Sequence, residues 1–137
     1  LQRGVPLPLG DVMANRRSLV FLDNLVDLIV TCIDHPAAAN QTFLVSDDED
    51  LSTAALLRRM ATAMGVGARL VPVPTRLITF GTKLIGRPGI AQRLCGSLQV
   101  DIGKTKALLG WTPPINVDEG LRRTAAYWIE SKQVSRG

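Results

Sequence analysis

The chain has 137 residues, 46% of them hydrophobic and 4% aromatic, with 16 basic and 12 acidic side chains for a formal net charge of +4. That length accommodates one ordinary domain whose core needs no disulfides. So few aromatic rings argue against a nucleic-acid surface built on base stacking, and no apolar run approaches the ~20 residues of a membrane-spanning helix.

In chain order, "LQRGVPLPLGDVMA" (1–14) is punctuated by Pro and Gly and reads as a helix end at Gly4, a short strand over 5–9 and a loop. "RSLVFL" (17–22) reads as a strand, after which Asp23 or Asn24 is expected to cap a helix. Leu25, Val26, Leu28, Ile29, Cys32 and Ile33 have helical spacing, and the helix should stop before Pro36. "QTFLVS" (41–46) reads as another strand. "DDEDLSTAALLRRMATAMG" (47–65) reads as an acidic turn feeding a helix, with Ser52 or Asp50 as cap and Gly65 as stop.

"ARLVPVP" (68–74) is expected to be extended, because its prolines remove ladder donors. "TRLITFGTKLIG" (75–86) is amphipathic and basic and fits a lid over a pocket or a surface helix. "GSLQVD" (96–101) reads as a short strand, with Asp101 capping a helix that Gly110 ends. After the "WTPP" turn, 116–132 is a last helix with Asp118 and Glu119 in its first turn.

Most motifs that promise chemistry fail on spacing. There is no glycine-rich phosphate turn; Gly65 and Gly67 lack a third glycine at the required distance. His35, the one histidine, sits near a helix C-terminus, where a cation is favoured. Tyr127 and Lys132 are five apart, whereas a Tyr/Lys pair on one helical face needs four. "SDDED" (46–50) lacks the glycine and terminal glutamate of a calcium loop and reads as an acidic run complementing a helix dipole. Cys32 and Cys95 have apolar neighbours and no CxxC spacing, so free thiols in a reducing cytoplasm are expected rather than zinc.

What remains is arginine. The basic residues form pairs at 16–17, 58–59 and 122–123 rather than long runs, a pattern suited to small anions and phosphate groups. Arg17 opens a strand, and Arg93 lies just ahead of another. A guanidinium at a strand mouth presents a rigid fork to phosphate, although spacing alone favours a solvated surface charge.

Taken together, "RSLVFLDNLVDLIV", "QTFLVSDDEDLSTAALLRRMATAMG" and "VDIGKTKALLGWTPPINVDEGLRRTAAYW" resemble, in order, the C-terminal part of extended short-chain dehydrogenase/reductases. Within that group they are similar to nucleotide-sugar epimerases of the UDP-glucose 4-epimerase type. The resemblance implies an α+β fold of short strands with about four helices. It makes residues 1–137 a single domain, the C-terminal nucleotide-sugar-binding portion of a longer enzyme. The glycine-rich NAD loop and the catalytic Tyr-x-x-x-Lys would lie in an N-terminal Rossmann half absent from this sequence. NAD would therefore bind there, and this piece alone would be inactive. The Leu1 start likewise reads as the edge of a piece.

By the same resemblance, Arg17 would meet the nucleotide diphosphate and Arg93 would be the second arginine, in a "RLCGS" context that departs from the usual motif. Asn15 and the "PLPLG" segment with Leu9 would line the sugar or uracil side. The expected partners are a UDP-sugar and the Rossmann half, in a homodimeric cytoplasmic enzyme of bacterial polysaccharide precursor synthesis, with no nucleic acid or membrane. Part of the apolar excess would be a docking face for that half. Two alternatives stay open: a dehydratase or reductase of the same family, and a standalone basic binding module.

Overall fold

The computed structural model describes residues 15–67, 69–70 and 96–134. In chain order these form β1 (Arg17–Ser18), α1 (Leu22–Asp34), a 3-10 turn (Pro36–Ala38), β2 (Asp50–Leu51), α2 (Thr53–Ala63), α3 (Gly103–Leu109) and α4 (Val117–Val134). The α+β expectation holds: four α-helices and one two-stranded sheet among the described residues.

The strands are shorter than the apolar pattern implies. "RSLVFL" keeps only Arg17–Ser18 as strand, because the chain turns into α1 at Leu22. The capping expectation for Asp23 or Asn24 is also corrected. Phe21 is the N-cap residue, Asp23 lies in the first turn, and Asn24 is buried inside the helix. The backbone N–H of Phe21 instead donates to the distant Asp47 carboxylate, at 2.9 and 3.0 Å to its two oxygens. A negative charge at that end also complements the helix dipole.

Residues 41–46 join no ladder. Side chains of α3 take their carbonyls: Thr105 Oγ1 donates to the Leu44 oxygen at 2.7 Å and Lys104 Nζ to the Thr42 oxygen at 3.0 Å. The 96–101 segment contributes one parallel bridge, Leu98 to Arg17, rather than a full strand.

The helix ends follow their local chemistry more closely. Ser52 caps α2, its Oγ accepting from the Ala55 N–H at 3.1 Å. Ser52→Ala is expected to cost about 1 kcal/mol, read as a lower urea midpoint at constant slope. Ile102 holds the N-cap position of α3, while Asp101 Oδ1 accepts from the Gly103 N–H at 2.7 Å. Gly110 ends that helix with φ +62°, a left-handed conformation open to glycine without a Cβ penalty. Asn116 Oδ1 accepts from the Glu119 N–H at 2.9 Å and starts α4.

The core gathers Leu28 of α1, Ile102, Leu109 of α3 and Trp111, with Cys32, Phe43, Val45 and Val100 packed around them. Trp111 satisfies its indole by donating to Asp27 Oδ2 at 2.7 Å. α2 packs along α4, and α4 closes on Phe21 through Gly120, where a Cβ would stand 3.0 Å from the Phe21 ring.

A surface ion cluster ties α4 to α1. Arg122 and Arg123 both bond Glu119, and Arg123 reaches Asp23 at 3.1 Å. Hydrogen bonds from Arg122 and then Arg123 pull the Glu119 carboxyl down to about 2. The folded value lies below the unfolded one, so this stabilisation is present above the ordinary carboxylate range and is lost as pH falls toward 2. Thermal melts should therefore shift down between pH 5 and pH 2 by less in Glu119→Gln than in the parent sequence, with the difference shrinking in high salt.

Candidate functional site

β1 is the middle of three backbone segments. On one side it pairs antiparallel with β2, Arg17 opposite Leu51 and Ser18 opposite Asp50. On the other, Ser18 N–H donates to the Leu98 oxygen and Leu98 N–H to the Arg16 oxygen, both at 2.8 Å. Arg17, the residue singled out in the sequence, is half-buried at the head of this ladder. Successive residues of an extended chain point to opposite faces, so Arg17 faces away from Arg16 and Ser18.

The side chains beside Arg17 lock the three segments together. Ser18 Oγ donates to Asp50 Oδ1 at 2.5 Å and accepts from the Val100 N–H at 2.7 Å. Gln99 Nε2 donates to Asp50 Oδ2 at 2.6 Å. The hydroxyl of Ser18, then Gln99, and the nearby positive charge of Arg16 hold the Asp50 carboxyl below its usual range.

Asn15 is buried and ties the head of β1 to the start of α2. Its Nδ2 donates to Thr53 Oγ1 at 2.8 Å and to the Gly96 oxygen at 3.3 Å, and its Oδ1 accepts from the Thr53 N–H at 3.0 Å. These bonds tie the chain to α2 and Gly96 two residues ahead of Arg17. Leu9, Arg93, Cys95 and the basic 75–87 segment lie outside the described residues.

The acidic run "SDDED" divides its labour, adding specific partners to the helix-dipole role read for it. Asp47 caps α1 from outside, Asp48 pairs with Lys106, Glu49 pairs with Arg59 at 2.5 Å, and Asp50 joins the clamp beneath β1. Arg59 also reaches Asp118 at 3.3 Å, linking α2 to the start of α4. Asp48 adopts φ 61°, a conformation that short polar residues tolerate better than most.

Sequence reasoning missed the pair at the centre of this frame. Asn24 is fully buried, its Nδ2 donating to Asp47 Oδ1 and to the Ile115 oxygen, each at 2.7 Å. Its Oδ1 accepts from the Ile115 N–H at 3.0 Å. The available signal was a carboxamide interrupting an apolar helix pattern, which in a buried setting demands partners.

Other sequence candidates have local roles. His35 is the C-cap of α1, its Nδ1 accepting from the Ala37 N–H at 3.2 Å. Tyr127 is exposed, and Lys132 lies over the Trp128 ring at 5.8 Å. No group of three or more His, Cys, Asp or Glu among the described residues could hold a metal ion. No helix among them is long and apolar enough to cross a membrane.

The described geometry places Arg17 at the head of a three-segment ladder that a satisfied polar clamp supports. Comparison with known proteins adds to this. No family model matches the sequence. The chain is 50% identical over 131 residues to a UDP-glucose 4-epimerase of Vibrio cholerae, a match covering 96% of this chain and 40% of that relative. The chain thus spans well under half the length of the curated relative it matches. Over nearly its whole length it is similar to part of a UDP-glucose 4-epimerase, and with its α+β fold it is consistent with a C-terminal part of such an epimerase.

Proposed function

We propose that this chain is the nucleotide-sugar-binding portion of an NAD-dependent UDP-sugar 4-epimerase-like enzyme, serving bacterial polysaccharide precursor synthesis in the cytoplasm. The observation that carries the reading is the 50% identity spread over 96% of the chain. The chain has no glycine-rich dinucleotide turn, so its own residues do not fit NAD. The cofactor would belong to an N-terminal half of the parent and would supply hydride chemistry at the sugar C4 there.

This portion binds and orients. Arg17 meets the diphosphate with charge-assisted hydrogen bonds, which are stronger and more directional than neutral ones. Asn15 and the Ser18–Asp50–Gln99 clamp fix the backbone from which Arg17 projects, so that little ordering is left for the moment of binding. Arg93 is the second diphosphate contact. In its support, the Gly96 carbonyl that Asn15 holds follows Arg93 by three residues in the sequence. Leu9 and its neighbours line the sugar or uracil side.

The test is turnover by the longer protein. Supplied with NAD and UDP-glucose, it should form UDP-galactose, while residues 1–137 alone should not. Loss of water from the sugar in place of C4 inversion would move the reading to a dehydratase. Failure to bind any UDP-sugar would overturn it.

A further inference from the structure

Leu98 is 62% exposed although it stands inside the ladder that carries Arg17. Both of its backbone groups are engaged: its N–H donates to the Arg16 oxygen and its oxygen accepts from the Ser18 N–H, each at 2.8 Å. The main chain is fixed there while the side chain is largely open to solvent. Arg17 pairs with Leu51 on one side and with Leu98 on the other. Residues paired across a sheet project to the same face, and neighbouring strands lie about 4.8 Å apart. Leu51, Arg17 and Leu98 thus form one row, from a buried leucine through the half-buried arginine to an exposed leucine.

Single exposed leucines are ordinary on protein surfaces, but the surroundings set this one apart. Ser97 and Gln99 turn to the opposite face, where Ser97 Oγ accepts from the Arg16 N–H at 3.0 Å and Gln99 Nε2 bonds Asp50. Gly96, two residues back on the side of Leu98, has no side chain to cover it. An anion held by Arg17 therefore meets an apolar surface immediately beside it. Bare phosphate has nothing to offer that surface, whereas a diphosphate ester carries an organic group next to its charge. A flat base presents a ring face that packs on aliphatic carbon with its polar groups left at the rim, whereas a hexose is hydroxylated all round.

We propose that Leu98 packs against the nucleoside of the bound nucleotide and so makes the site prefer a nucleoside diphosphate to a bare diphosphate. This rests on the reading of Arg17 as a diphosphate contact.

The experiment is calorimetric titration of the longer protein with UDP, inorganic pyrophosphate and UDP-glucose, in the parent sequence, Leu98→Ala, Leu98→Met and Arg17→Ala. Leu98→Ala should bind UDP about tenfold more weakly, the worth of a partly covered leucine side chain, and pyrophosphate within about twofold of the parent sequence. Leu98→Met restores apolar surface of similar volume and should bind UDP within about twofold. Leu98 is exposed and its hydrogen bonds are made by the backbone, so these variants keep the ladder, as matching urea midpoints would verify. Unchanged UDP binding in Leu98→Ala would overturn the proposal. So would equal weakening of UDP and pyrophosphate, which would make Leu98 a support for Arg17. Weakening of UDP-glucose with UDP unchanged would also overturn it, placing the leucine on the sugar side. Arg17→Ala should weaken UDP and pyrophosphate alike. If it weakens neither, the diphosphate reading fails and takes this proposal with it, an outcome distinct from failure at Leu98 alone.

Discussion

Asn24→Ala is expected to lower the unfolding free energy by about 3 kcal/mol, because it strips bonded partners from buried polar groups. The carboxamide makes one bond to Asp47 and two to the backbone of Ile115. Removing it leaves the Ile115 N–H and carbonyl without that partner and takes a donor from the Asp47 carboxylate. Asn24→Asp should be no milder. It keeps an acceptor for Ile115 but places a second carboxylate beside Asp47 in a water-poor site. Equilibrium urea unfolding reads both variants, and a midpoint shift worth less than about 1 kcal/mol for Asn24→Ala would contradict this account.

The larger loss is expected at Trp111. Trp111→Ala should cost about 4 kcal/mol, since it empties the place where α1, α3 and the 43–45 segment meet. Trp111→Phe separates two contributions. It keeps most of the apolar ring but abandons the 2.7 Å bond to Asp27, so it should lose roughly 1–2 kcal/mol. If the two substitutions were equally damaging, the indole hydrogen bond rather than the packing would dominate at this position.

Much of the helical frame was legible because its signals are local. Ser52 before an amphipathic run, Gly110 after one, and the acidic first turn of α4 each satisfy backbone groups within a few residues. The strands were over-read for the opposite reason. "RSLVFL" and "QTFLVS" have strand composition, yet whether a segment joins a ladder depends on what lies beside it. Beside 41–46 lie Lys104 and Thr105 of α3, which take its carbonyls.

The cap of α1 was misplaced on the same ground. Asp23 and Asn24 carry the expected chemistry at the expected place, but Asp47, more than twenty residues on, does the capping. Arg17 was legible as a strand-head arginine. Its supporting clamp was not, because Ser18, Asp50 and Gln99 come from three separate stretches that only the fold brings together.

The central claim is that Arg17 serves a nucleotide diphosphate. Its most direct measurement is calorimetric titration of the longer protein with UDP, comparing the parent sequence with Arg17→Lys and Arg17→Ala. Removing one charge-assisted fork should weaken binding about 10- to 100-fold in Arg17→Ala. Arg17→Lys should fall in between, because it keeps the charge without the planar geometry. An Arg17→Ala variant that folds and binds UDP as tightly as the parent sequence would contradict the claim.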